Sequence, residues 1–98
     1  GILVCGDLNL EKFPGFWVQD CAAAMQNLLL AAHGLGLGAV WTGVYPVGER
    51  VERFRAIFRL PKHVVPLGFA VLGWPSGAPG PPEDRFRADR VHRDRWPD

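Results

Sequence analysis

The chain has 98 residues, which allows one domain at most, and its apolar fraction of 48% is ordinary for a globular protein. The formal net charge of +1 provides no field that attracts nucleic acid, so no nucleic-acid partner is expected. The longest apolar runs are interrupted by Gln26 and Asn27 and are too short to cross a bilayer, so no membrane partner is expected either. Cys5 and Cys21 lie in no metal or redox spacing, and the simplest interpretation is buried free thiols of a cytoplasmic protein.

The residue pattern predicts three strands and two helices. The chain opens without an initiator Met and directly in an apolar run, Ile2–Cys5, which indicates a strand buried on both faces. A domain seldom begins inside its own core strand, so we expect the C-terminal piece of a longer protein. Asp, Asn, Pro and Gly in residues 7–15 predict a loop. The later predicted elements are a helix from Phe16 or Trp17 to His33, a strand at Ala39–Tyr45, a helix at Glu49–Phe58 and a strand at Val64–Leu72.

The first helix carries few polar side chains. Gln19, Gln26 and His33 are seven residues apart and form one line, and Asp20 and Asn27 lie beside it. Such a narrow polar stripe is typical of a helix that is covered on most sides. A chain of this length rarely surrounds such a helix alone, so the pattern predicts a partner chain or a further part of the same protein.

Glycines end the first helix and precede the second strand. The string from Gly34 to Ala39 has the spacing of a dinucleotide-binding fingerprint, but it follows a helix and opens a strand, whereas the fingerprint follows a strand and opens a helix. The Rossmann interpretation is therefore disfavoured. The glycines either let the backbone approach a flat ligand or simply stop the helix with a left-handed residue, and spacing alone favours the second.

Two stretches have residue types that suit a ligand. Trp41, Thr42 and Gly43 offer an aromatic face, a hydroxyl and bare backbone, which suits a planar heterocycle but equally a core strand. The Pro- and Gly-rich residues 75–82 begin an arm that reaches residue 98. The arm carries arginines that suit a phosphate, although the aspartates among them favour a solvated, self-paired tail. These arginines are Arg85, Arg87, Arg90, Arg93 and Arg95.

No catalytic side chain or metal site is predicted. His33, His63 and His92 are far apart and lack the spacing of metal ligands. Nothing in the sequence ties a nucleophile to a base.

Several motifs, in order and over nearly the whole chain, resemble the FMN-dependent nitroreductase family. They are W-V-Q-D-C-A-A-A-x-Q-N-L-L-L-A-A from Trp17, G-L-G-A-V-W-T-G-V-Y-P to Pro46, L-P at Leu60, L-G-W-P at Leu72 and D-R-F-x-x-x-R-V-H-x-x-R-W from Asp84. The resemblance implies an α+β fold in which helices flank a mixed sheet, and an intertwined dimer with FMN at the subunit interface.

The resemblance also implies site residues and partners. Trp41, Thr42 and Gly43 match the segment beside the flavin ring, and Arg85 and Arg87 match a basic pair at the FMN phosphate. NADH or NADPH is the implied electron donor, and nitroaromatics, quinones or similar small molecules are the implied acceptors. The Trp17–His33 helix matches the one that forms much of the homodimer interface.

Two segments of the family are missing: an R-R-S-x-R motif, which binds the phosphate and ribityl chain, and a P-S-A-x-N-x-Q-P-W segment at the flavin. We therefore expect residues 1–98 to be the C-terminal portion of a single nitroreductase-like domain, with 75–98 as an extended arm. The expected function is that of an FMN-dependent NAD(P)H oxidoreductase in the full-length protein. The alternative for the chain alone is a non-enzymatic flavin-binding or dimerisation fragment without turnover, or an unstable fragment with no function.

Overall fold

The computed structural model describes residues 1–97 and has an α+β fold, which confirms the predicted class. Three strands form an antiparallel sheet in the order β1-β3-β2, so that the last strand in sequence is the central one. The elements are β1 (Ile2–Asp7), a 3-10 helix (Leu8–Leu10), α1 (Trp17–Gly34), β2 (Gly38–Gly43), α2 (Gly48–Phe58), β3 (Val64–Gly73) and a second 3-10 helix (Ala88–Arg90).

The first predicted loop is shorter than expected. Strand β1 continues to Asp7, and the 3-10 helix follows it directly. The Asp7 carboxylate accepts a hydrogen bond from the Asn9 N–H at 3.0 Å, and the Leu8 N–H donates to the His63 carbonyl at 2.8 Å. A side-chain cap and a contact from another segment therefore give this stretch a regular structure that its composition does not predict.

The end of α1 differs in detail from the prediction, whereas α2 ends at Phe58 as predicted. Gly34 is the last residue of α1, and Gly36 is the one with a left-handed backbone, at φ +78°. In α2 it is Arg59, at φ 52°, that ends the helix before Leu60-Pro61. Arg55 stabilises the following turn, because its guanidinium donates to the carbonyls of Pro61 and Val64 at 2.7 and 3.1 Å.

The sheet lies between the two helices. On the α1 side, Trp41 pairs with Ala70 across the strands, and both the Trp41 indole and the Met25 side chain approach the backbone of Gly68. Successive side chains of a strand point to opposite faces, so Phe69 points to the α2 side. There its ring lies 5.7 Å from Phe54.

Only one face of α1 is covered by residues 1–97. Met25 is fully buried against the sheet, whereas Leu30 on the other face is 61% exposed. The cover that the sequence predicts for the other face, from a partner chain or a further part of the protein, stays a prediction. The radius of gyration is 17.0 Å, compared with about 13 Å for a compact domain of about 100 residues, and the exposed residues after β3 contribute to this larger value.

Residues 74–97 are all exposed, and the Ala88–Arg90 3-10 helix is their only regular element. The large side chains of Trp74 and Trp96 are each 79% exposed. Across residues 1–97, no helix has both the length and the apolar content needed to cross a membrane.

We predict that Gly68→Ala destabilises the protein. An added Cβ would overlap the Trp41 indole nitrogen and lie 3.3 Å from the Met25 Cε, and overpacking of this kind typically costs about 1–3 kcal/mol. Gly73→Ala is the matched control on the same strand, because its added Cβ meets no atom within 4 Å in residues 1–97. Urea denaturation measures both, and an equal midpoint for the two variants would contradict the packing described for Gly68.

Candidate functional site

The candidate site is the C-terminal end of β2, where Trp41, Thr42 and Gly43 follow one another. The Trp41 side chain is 37% exposed and lies on the α1 side, over Gly68. Thr42 pairs with Phe69 and therefore points to the α2 side. The aromatic ring and the hydroxyl are thus on opposite faces of the sheet. A single ligand could contact all three residues only through their backbone.

The Thr42 hydroxyl is already engaged. Its Oγ1 donates to the Phe69 carbonyl at 2.6 Å, across the β2–β3 pair. The hydroxyl proton is therefore used within the sheet, and the oxygen retains acceptor capacity only. A ligand beside this strand would find an acceptor at Thr42 and not a free donor.

Gly43 leaves open space beside the backbone. A Cβ built at this position would meet no atom within 4 Å in residues 1–97. Strand β2 pairs only with β3 among the described residues, so every second N–H and carbonyl along its other edge is free of the sheet. This edge has the hydrogen-bonding groups and the access that the rim of a flat heterocycle requires.

Arg50 and Arg53 lie beside Gly43, a proximity that the sequence pattern does not predict. Arg50 Nη1 donates to the Gly43 carbonyl at 2.9 Å and so holds the end of β2 against α2. Both arginines line an open depression of about 440 Å³ together with Thr42, Gly43, Phe54 and Ile57. Only the fold reveals this proximity, because β2 and α2 are joined by a turn whose geometry the sequence does not specify.

The predicted phosphate-binding arginines lie in the exposed arm and do not line this depression. Arg85 is 3.6 Å from Glu83, with 85% of its side chain exposed. Arg87 donates two hydrogen bonds to Asp89, at 2.9 and 2.7 Å, which raise the pKa of Arg87 and lower the pKa of Asp89. In residues 1–97, therefore, both arginines have acidic neighbours within the arm.

The two cysteines are free and half-buried, and they line one cavity of about 530 Å³ between β1 and α1. Burial raises the pKa of Cys5 and, to a smaller extent, so does the neighbouring Cys21; burial likewise raises the pKa of Cys21, with a smaller effect of Asp20. Thiols with raised pKa values are poor nucleophiles at neutral pH. Within residues 1–97, no group of three or more His, Cys, Asp or Glu side chains is arranged to hold a metal ion.

Comparison with known proteins identifies relatives whose names agree with one another. Residues 7–74 match the sequence profile of the nitroreductase family. A protein of Methanothermobacter thermautotrophicus, provisionally named an NADH dehydrogenase/NAD(P)H nitroreductase, is 58% identical over 95 residues, and the match covers 97% of this chain and 49% of that protein. A Bacillus subtilis protein named FMN reductase (NADPH) is 32% identical over 73 residues, which cover 72% of this chain and 28% of that protein. The chain therefore spans about half the length of the first of these relatives, and less of the second.

Solved structures agree with these matches. A crystal structure from Parabacteroides distasonis, provisionally named an NADH dehydrogenase/NAD(P)H nitroreductase, superposes with a TM-score of 0.88 at 44% identity and covers 96% of this chain and 54% of that one. The profile match spans most of the chain, and the fold is the same as in this relative. The chain belongs to the nitroreductase family.

Proposed function

We propose that the full-length gene product is an FMN-dependent NAD(P)H oxidoreductase, and that residues 1–98 are the C-terminal portion of its single nitroreductase-like domain. Membership of the family is the observation that carries this proposal. The name of the Bacillus relative, FMN reductase (NADPH), supports flavin and NADPH as its chemistry. The acceptors we propose are nitroaromatics, quinones or similar small molecules, and the proposed location is the cytoplasm, where NADH and NADPH are available.

The residues at the end of β2 fit one edge of FMN. The space beside Gly43 admits a flat ring, and the free edge of β2 offers backbone groups to the hydrogen-bonding rim of that ring. Arg85 would hold the phosphate, because its contact with Glu83 at 3.6 Å is long and exposed and so contributes little. Arg87 would have to release Asp89 first, which makes it the weaker phosphate ligand of the two.

The hydride and electron-transfer chemistry would be supplied by FMN when bound, with NADH or NADPH as the donor. The role of this chain would be to orient the flavin ring. The backbone at Thr42 and Gly43 would fix the ring edge, and Arg50 would keep that backbone in place through its bond to the Gly43 carbonyl. No side chain of residues 1–97 is assigned as an acid or base.

We also propose a homodimer that forms through the Trp17–His33 helix. The uncovered face of α1 carries Ala23, Ala24, Leu30 and Ala31, all exposed in this chain. Soluble proteins rarely leave a large apolar patch in water. Small side chains such as these allow another helix to approach closely.

We predict that the full-length gene product retains FMN through gel filtration and oxidises NADH or NADPH with a rate that saturates in FMN. The 98-residue chain alone should show only the background of free flavin. It offers contacts to one edge of the ring and leaves much of α1 uncovered, and orientation supplies a large part of an enzymatic rate. A colourless full-length protein that gains no flavin absorbance would contradict the proposed function, and saturable turnover by the chain alone would contradict the need for the remaining half.

We predict that Arg85→Ala weakens FMN binding by the full-length gene product. A hydrogen bond from a charged donor to a phosphate is typically worth about 1.5–3 kcal/mol, which corresponds to a roughly tenfold to hundredfold higher dissociation constant. Arg90→Ala is the control of equal charge in the same arm. Titration by flavin fluorescence quenching distinguishes them: unchanged affinity for Arg85→Ala, or an equal loss for both variants, would remove Arg85 from the phosphate site.

We predict that Leu30→Glu dissociates the full-length gene product into monomers at micromolar concentration. Burial of one leucine stabilises an interface by about 1.5–3 kcal/mol, and a two-fold symmetric dimer contains the change twice. Leu10→Glu is the control, since Leu10 is 78% exposed and lies outside α1. Light scattering coupled to gel filtration gives the mass, and a wild-type monomer, or a Leu30→Glu dimer, would contradict the proposed interface.

A further inference from the structure

The depression between β2 and α2 combines positive charge with an apolar wall. Arg50 and Arg53 lie one helical turn apart on α2 and line the same side of it. Phe54 and Ile57 provide the apolar side, and Ile57 is 67% exposed although it is a large apolar residue. The packing of α2 on the sheet uses Phe54 and Phe58 against Phe69, and it explains neither the two arginines nor the exposed Ile57.

The two arginines differ in what they bind. Arg50 uses one N–H on the Gly43 carbonyl and keeps its other donors. Arg53 forms no salt bridge and no side-chain hydrogen bond within residues 1–97, although Glu49 precedes it by four residues on the same helix. By contrast, Arg55 contacts Glu52 at 3.5 Å. Arg53 thus brings an unneutralised guanidinium to the depression.

We propose that this depression is a binding site for a small carboxylate with a flat apolar body, such as an aromatic monocarboxylate. A guanidinium matches the two oxygens of a carboxylate in a planar, bidentate arrangement. The apolar body would lie along Phe54 and Ile57, and the Thr42 oxygen and the Gly43 backbone would close the end of the site. No acidic side chain lines the depression among residues 1–97, so no carboxylate there repels an anion. The site shares the Thr42 and Gly43 backbone with the proposed flavin edge, whereas Arg53, Phe54 and Ile57 belong to the depression alone. The effect of Arg53→Gln on benzoate affinity therefore tests this site separately from flavin binding.

The test uses the full-length gene product and benzoate as the probe, with the amide NMR signals of Thr42, Gly43 and Arg53 as the readout. We expect these signals to shift saturably with benzoate. Arg53→Gln should raise the dissociation constant about tenfold to hundredfold, because one charge-assisted pair is lost. Arg53→Lys should lose less, since it retains the charge but not the planar pair. Arg59→Gln, a change of equal charge at the end of the helix and outside the depression, should leave the affinity unchanged.

Two further ligands distinguish the contribution of the negative charge from that of the aromatic ring. Benzamide retains the ring without the charge, and inorganic phosphate retains an anion without the ring; both should bind at least about tenfold more weakly than benzoate. The absence of saturable shifts with benzoate, equal affinity for benzamide, or unchanged affinity in Arg53→Gln would overturn the proposal. Phosphate binding as tight as benzoate would overturn the carboxylate assignment, because the apolar wall would then contribute nothing.

Discussion

The Trp41 indole lies against the backbone of Gly68, and the α1 side of the sheet is packed around that contact. The side chain of Met25 approaches the same point from α1, so that helix, edge strand and central strand meet above one residue without a Cβ. Any larger residue at this position would separate β2 from its place against α1. The position of the candidate site therefore depends on the small residue in the neighbouring strand as well as on Trp41 itself.

On the opposite face of the sheet, α2 also helps to position the site. Phe69 is packed by Phe54 and Phe58, which fixes α2 against β3. With α2 in place, Arg50 reaches the carbonyl of Gly43 at the end of β2. The backbone that we propose as the flavin contact is thus held by packing on one face and by a hydrogen bond from the other.

The chain leaves much of its apolar surface without cover. The fully buried set is small, with Met25 at its centre, while Leu30 and Trp74 remain exposed. A folded domain gains most of its stability from burying such groups. Because this apolar surface is exposed, we propose a second chain on α1. Because the chain spans about half of the Methanothermobacter relative, we propose the activity for the full-length gene product.

The amino-acid sequence by itself determined the order of the elements and the family. A narrow polar stripe indicated α1, and apolar runs between turn residues indicated the three strands. The motifs that follow one another over nearly the whole chain identified the family. The sequence also singled out Trp41, Thr42 and Gly43, although their contacts with a flavin remain a prediction. Tertiary structure alone decided which strand is central, that Trp41 and Thr42 point to opposite faces, that Leu8–Leu10 is helical, and that Arg50 and Arg53 lie beside Gly43. These features depend on contacts between residues far apart in the chain, such as Leu8 with His63 and Thr42 with Phe69, which local patterns do not encode.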